Sequence, residues 1–177
     1  MILIDTHCHF AAADFATDRD ALAAAAGAAG IQAMVVPAVD VASFAEVRAC
    51  CARYSACAAA FGIHPLYVRH ASESDLKRLR ECLADALAGP DRPVAVGEIG
   101  LDAYTDENRA TLDRQERAFI EQLNLAKRFD LPVCLHILAA HGKALEILKR
   151  EKPPAAGGVV HSYSGSAELL RDYVQLG

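Results

Sequence analysis

Ile2-Leu-Ile-Asp-Thr-His-Cys-His9 opens the chain with a short apolar run that ends in two histidines one residue apart. Such a run reads as a buried strand, and the period-two alternation of a strand points both imidazoles to one side. Cys8 then faces the other way, where a small thiol fits beneath a covering helix. Taken alone, the pair is either a metal-type pair or two satisfied polar side chains. Three further residues favour the metal-type reading. Glu98, His136 and His161 each close an apolar, Val-rich segment as His7 and His9 do, so four segments end in metal-type side chains.

Around that stretch the chain repeats a strand-then-helix unit. Asp18 is placed to cap an Ala-rich helix over 19–29 that Gly30 closes. The second strand, 31–36, stops at Pro37, and Ser43 is placed to cap the next helix. The third strand spans 58–63 and runs into Gly62-Ile-His-Pro65. Ser72 with Asp75 resembles a capping box for a helix with Leu76, Leu79, Leu83 and Leu87 on one face. Val94-Ala-Val-Gly-Glu98 is the fourth strand, and the long helix after it carries Leu112, Phe119, Leu123 and Ala126 on its apolar face. The fifth strand is 131–136, followed by a helix over 143–150 that Pro153-Pro154 breaks. Gly158-Val-Val-His161 is the sixth, and Ser166 is placed to cap a last helix ending at Gly177.

Six such units with near-continuous apolar strands imply an α/β fold with a parallel sheet covered on both faces. A doubly wound sheet gathers ligands at one switch point, usually with a glycine-rich loop after an early strand, and no such loop follows the first two strands here. In a barrel every strand end faces one mouth, so ligands from strands 1, 4, 5 and 6 converge. The positions of His7, His9, Glu98, His136 and His161 favour the barrel.

Composition narrows the function. The 177 residues, 53% of them apolar, suffice for one domain with a large core. A net charge of −5 with interspersed signs excludes bulk attraction to nucleic acid, so phosphate binding must be local. Six cysteines show no ligand-like spacing, and Cys50 next to Cys51 is poor disulfide geometry. With no charged leader before an apolar stretch and no 18-residue apolar run, a soluble, cytoplasmic protein that does not enter a membrane is expected.

Five ordered blocks carry a resemblance. Asp5-Thr-His-Cys-His9, Gly62-Ile-His-Pro65, Gly97-Glu-Ile-Gly-Leu-Asp102, Pro132-Val-Cys-Leu-His136 and Val160-His-Ser-Tyr-Ser-Gly165 resemble the signature blocks of the TatD family of metal-dependent hydrolases, in order and spacing along the whole chain. The resemblance implies a TIM-barrel fold and phosphodiester hydrolysis, as in deoxyribonucleases of the 3′–5′ exonuclease type acting on DNA or an oligonucleotide. It also implies two divalent metal ions, with His7 and His9 holding one, His136 and His161 the other, and Glu98 bridging them as the catalytic carboxylate. A carboxylate can span cations roughly 3.5–4 Å apart, the separation used for in-line displacement at phosphorus. Among Mg, Mn, Zn, Ni and Co, imidazole-rich ligation suits the last four. Two departures stand out. Ile137 and Leu138 occupy places where the family usually has a polar pair, so a cationic phosphate contact is expected to be missing. The family barrel has eight strands and a final metal-ligating Asp, whereas only Asp172, inside a helix, follows His161 here. The expectation is a single domain over 1–177, C-terminally truncated, with six of eight strand–helix units and open sheet edges that favour self-association.

His64 is either a substrate-phosphate contact or a cap for its loop, and Ser164 and Gly165 are either a phosphate site at a helix N-terminus or an ordinary helix entry. Asp5 is a candidate partner beneath the metals, Asp102 a turn residue or a rim polar group, and His70 and His141 read as surface residues. Two alternatives to the nuclease stay open: hydrolysis of a small amide, ester or lactone, and a fragment that binds metal without turnover.

Overall fold

The computed structural model describes residues 1–90 and 92–177. Six parallel strands, β1 (Leu3–Asp5), β2 (Ile31–Pro37), β3 (Cys57–Phe61), β4 (Ala95–Asp102), β5 (Val133–Leu138) and β6 (Gly158–Val160), form one sheet. Their spatial order is their sequence order, β1 to β6. A doubly wound sheet would reverse direction at a switch point; an order that never reverses is the winding of an α/β barrel. The strands make an open arc with β1 and β6 at its edges.

Helices α1 (Arg19–Ala28), α2 (Phe44–Arg53), α3 (Pro65–Val68), α4 (Glu73–Ala88), α5 (Asp106–Arg109), α6 (Leu112–Phe129), α7 (His141–Glu151) and α8 (Ala167–Leu176) connect and cover them. The main core lies between sheet and helices, where Phe61, Val96, Ile99 and Leu135 meet Leu79, Leu83, Phe119 and Leu123. A smaller cluster, Ala60, Ala95 and Cys134 with Val35 against it, lies apart from that core. Cys134 shares its strand face with His136, two residues on, so this cluster floors the concave side of the arc. Its side chains are small, as a curved sheet requires where strands crowd together.

β4 is the centre of the construction, with all eight residues buried. Its register with β5 shifts between Val96 and Ile99: Val96 pairs with Val133 and Ile99 with Leu135, so one extra residue is inserted in β4. A bulge of this kind re-aims a side chain, and the one re-aimed is Glu98. Gly97 makes it possible, because a Cβ there would lie 2.6 Å from Cys134 Cβ.

Several local expectations shift. β1 stops at Asp5, so the pleat does not carry His7 and His9; an extended segment does, tied to β2 by Cys8 N–H donating to Val35 O at 2.9 Å. Asp18 and Ser43 occupy N-cap positions without capping through their side chains. The Ser43 hydroxyl instead accepts from Val39 and Asp40 N–H, tightening the turn after β2. At α4 the expected reciprocal cap forms, with Ser72 N–H donating to Asp75 at 2.8 Å. Among the described residues no helix is long and apolar enough to cross a membrane.

Candidate metal centre

Glu98 is 1% exposed, yet its carboxylate faces five imidazoles. His7 Nε2 and His9 Nε2 each lie 3.2 Å from Oε2. His161 Nε2 at 2.6 Å, His136 Nδ1 at 3.1 Å and His64 Nε2 at 3.4 Å lie around Oε1. The carboxylate therefore divides the histidines that follow β1 from His136 of β5 and those that follow β3 and β6. Distances among the ligand atoms cut across that division. His7, Glu98 and His161 form one set within 4.8 Å, and His64, Glu98 and His136 another. The first reflects the stacking of His7 on His161, with centroids 3.8 Å apart and planes 3° from parallel.

The carboxyl's acidity follows from these contacts. Burial pushes its pKa up, but the contacts with His136, His161, His64 and His7 outweigh burial and hold it well below the usual carboxylate range. His9 has its pKa raised, chiefly by its contact with Glu98. His136 is lowered by burial but raised more by Glu98 and Asp102.

The rings are not equivalent. His64, 7% exposed, caps α3: its Nδ1 accepts the N–H of Leu66 at 3.1 Å, which leaves the proton of the neutral ring on Nε2, facing Glu98. Burial lowers the His64 pKa, which favours that neutral ring. His64 thus offers the mouth a donor, not a lone pair. His7 Nδ1 lies 3.2 Å from Cys134 Sγ, and His136 Nε2 lies 3.0 Å from Asp102 Oδ2.

Asp5 accepts the backbone N–H of His7 at 3.0 Å, so it shapes the turn into the ligand segment. Ser164 Oγ lies 3.3 Å from His141 Nε2, and a Cβ on Gly165 would lie 2.5 Å from Tyr163 Oη, so a larger residue there would have to displace the Tyr163 ring. Ser166, not Ser164, caps α8 by accepting the Leu169 N–H. His70 is exposed, but His141 is not the surface residue expected: it is 8% exposed at the start of α7, with Nδ1 3.2 Å from Tyr173 Oη. Burial lowers its pKa.

Two residues the sequence reading passed over hold the rim in place. Gln122 of α6, 1% exposed, accepts the Ile63 N–H at 2.7 Å and donates to Ile63 O at 3.1 Å, immediately before His64. Gln115, two helical turns earlier and equally buried, accepts the Asp102 N–H at 2.8 Å and donates to Asp102 O at 3.0 Å. Their seven-residue spacing was the available signal: two glutamines inside the apolar stripe of one helix.

The donor set suits a divalent ion. Imidazoles and an ionised carboxylate converge, and Glu98 Oε2 is buried with no hydrogen-bond donor among the described residues. A buried acceptor without a donor is costly unless a cation serves it.

A parallel arc of strands whose carboxyl-terminal rim gathers imidazoles around one buried carboxylate places the chain among α/β barrels with metal-type ligands at the mouth. The chain belongs to the TatD family: residues 4–177 match the family described as TatD related DNase. It is 42% identical over 174 residues to "Uncharacterized metal-dependent hydrolase YjjV" of Escherichia coli K12, covering 98% of this chain and 65% of that protein. It is 33% identical over 175 residues to "3'-5' ssDNA/RNA exonuclease TatD" of Cronobacter sakazakii, covering 99% of this chain and 64% of that protein. The crystal structure of the Escherichia coli YjjV protein matches with a TM-score of 0.90 at 41% identity, over 98% of this chain and 65% of that one. The chain thus spans about two thirds of the length of these relatives.

Proposed function

We propose that this chain carries the metal centre of a hydrolase acting on phosphodiester bonds, of the single-strand 3′–5′ nuclease type, with two divalent ions bridged by Glu98. One observation carries the reading: a buried carboxylate gives one oxygen to His7 and His9 and the other to His136 and His161, as a bridge between two ions requires. The nuclease name of a relative at 33% identity supports the substrate class. Bound ions would acidify a water nucleophile and neutralise charge growing on the phosphoryl oxygens.

The chain's own residues do the rest. Burial of Glu98 keeps water from competing for its oxygens, and its depressed pKa keeps it ionised across the range in which histidines lose their protons. His64 is held neutral with Nε2–H toward the mouth, ready to donate to a phosphoryl oxygen. Ser164 and Gly165 lie on the loop after His161, where a phosphate of the same substrate would run. The absence of a Lys or Arg directly after His136 leaves these neutral donors as the phosphate contacts.

The test compares hydrolysis of a bis-aryl phosphodiester with that of aryl esters, each with and without chelator, alongside metal analysis of wild type and His7→Ala. Chelator-sensitive phosphodiesterase activity, and loss of one ion of two in His7→Ala, are expected. Ester hydrolysis alone, or both ions lost together, would refute the reading.

A further inference from the structure

We infer that Asp102 is a positioning residue that fixes which nitrogen of His136 carries the proton, and so presents Nδ1 of that ring to an ion beside Glu98. The inference rests on the metal-centre reading but is carried by a separate piece of geometry, the surroundings of the Asp102 carboxylate at the end of β4.

Asp102 is 3% exposed, and its two oxygens have different tasks. Oδ1 accepts the Tyr104 N–H at 2.9 Å and the Asn108 Nδ2–H at 2.8 Å. Oδ2 faces one described partner, His136 Nε2, at 3.0 Å. A carboxylate only accepts, so Nε2 must donate, and the neutral ring then carries its lone pair on Nδ1. Nδ1 lies 3.1 Å from Glu98 Oε1, on the side where the ligands converge. Glu98 Oε1 is the competing acceptor, but it already faces His161 Nε2 at 2.6 Å and His64 Nε2 at 3.4 Å, whereas Asp102 Oδ2 faces His136 at the shorter distance, so the ring's one proton goes to Nε2. The Asp102 main chain cannot drift, since Gln115 clamps both its N–H and its C=O. A carboxylate behind a ligand imidazole sets ring orientation and raises basicity, and losing one typically costs 10–100-fold in metal affinity.

The same geometry makes Asp102→Asn a sharp probe. The Tyr104 N–H is a backbone donor and cannot turn round, so an asparagine keeps its carbonyl oxygen at the Oδ1 position. Its NH2 then faces His136 Nε2, which must become the acceptor. The proton moves to Nδ1, and the nitrogen facing the ion loses its lone pair. Size and shape hardly change.

Nitrogen NMR of the histidine rings in the metal-free full chain, at about pH 9 where imidazoles are neutral, reads the tautomer directly. Wild type should show Nε2–H for His136 and Asp102→Asn should show Nδ1–H. Titration with Mn²⁺ should show roughly 10–100-fold weaker binding in the variant, with the metal-free melting temperature unchanged. An Nδ1–H ring in wild type, or Mn²⁺ affinity in the variant within about twofold of wild type, would overturn the positioning role. A wild-type ring with Nε2–H in a protein that takes up no Mn²⁺ would support the tautomer assignment and sink the metal-hydrolase reading instead.

Discussion

Replacing Gln122 by Leu removes the clamp on Ile63 while leaving a side chain of comparable bulk. Gln122 and Ile63 are each 1% exposed, so the Ile63 N–H and C=O lose their partners where water does not replace them. A buried polar group left unsatisfied costs ~1–3 kcal/mol, and two of them ~2–6 kcal/mol. The more apolar leucine returns roughly 1–2 kcal/mol of that, leaving an expected loss centred on about 2.5 kcal/mol, within a range of roughly 0–5 kcal/mol, from a domain whose total is ~5–15 kcal/mol. For a chain of this length the central value corresponds to a melting temperature lower by roughly 5–10 °C. Urea unfolding followed by circular dichroism gives the free energy, with Gln32→Leu as the comparison. Gln32 is exposed on β2, so its replacement should stay within about 0.5 kcal/mol of wild type. If Gln122→Leu also stayed within about 0.5 kcal/mol, the clamp would not stabilise the rim, and the argument from buried backbone groups would be wrong.

Glu98→Gln keeps an oxygen and the shape but removes the charge facing five imidazoles, so phosphodiesterase turnover should fall more than tenfold, about 1.4 kcal/mol in the barrier; a smaller loss contradicts the bridge. Ion uptake should be pH-dependent, because His9 and His136 hold their protons above the ordinary imidazole pKa and an ion must displace them. Affinity is therefore low below pH ~6.5, rises as pH passes through the raised values, and levels off above them; isothermal titration across pH 6–9 checks this, and a flat profile counts against it. Ile2 and Ile4 beside the β1 edge are 68% and 63% exposed, and Val159 on β6 is 40% exposed. Apolar edges of this kind promote association, so light scattering should show wild type self-associating and Ile4→Lys shifted toward monomer; a monomeric wild type would refute the edge argument.

The fold was readable because its signals are local and repeated. Apolar runs of strand length alternate with amphipathic helices, and the histidines and Glu98 fall within or just past those runs, although β4 and β5 continue beyond Glu98 and His136 and β1 stops short of His7. What could not be read depends on contacts between distant segments. Gln115 and Gln122 look like defects in an apolar stripe until their partners, Asp102 and Ile63, are brought against α6 by the folding of β3 and β4. His141 reads as exposed because its cover, Tyr173, is 32 residues away. The aim of Glu98 rests on a one-residue register shift against β5, which leaves a trace only as the glycine before it. α3 and α5, of four residues each, are too short to show a period.

β1 and β6 are the two edges of the arc, yet the rings of His7 and His161, which follow them, stack at 3.8 Å. Two ions bridged by Glu98, one on the His7 side and the other on the His161 side, would act as a clasp across the opening, joining the first nine residues to position 161 through one shared carboxylate. No shorter stretch of the chain contains all three ligands, so uptake is available only to the folded arc. By mass action the fold then gains about 2.7 kcal/mol when free ion stands at a hundred times its dissociation constant, and dissolved metal becomes a quantity that sets how often the arc springs open.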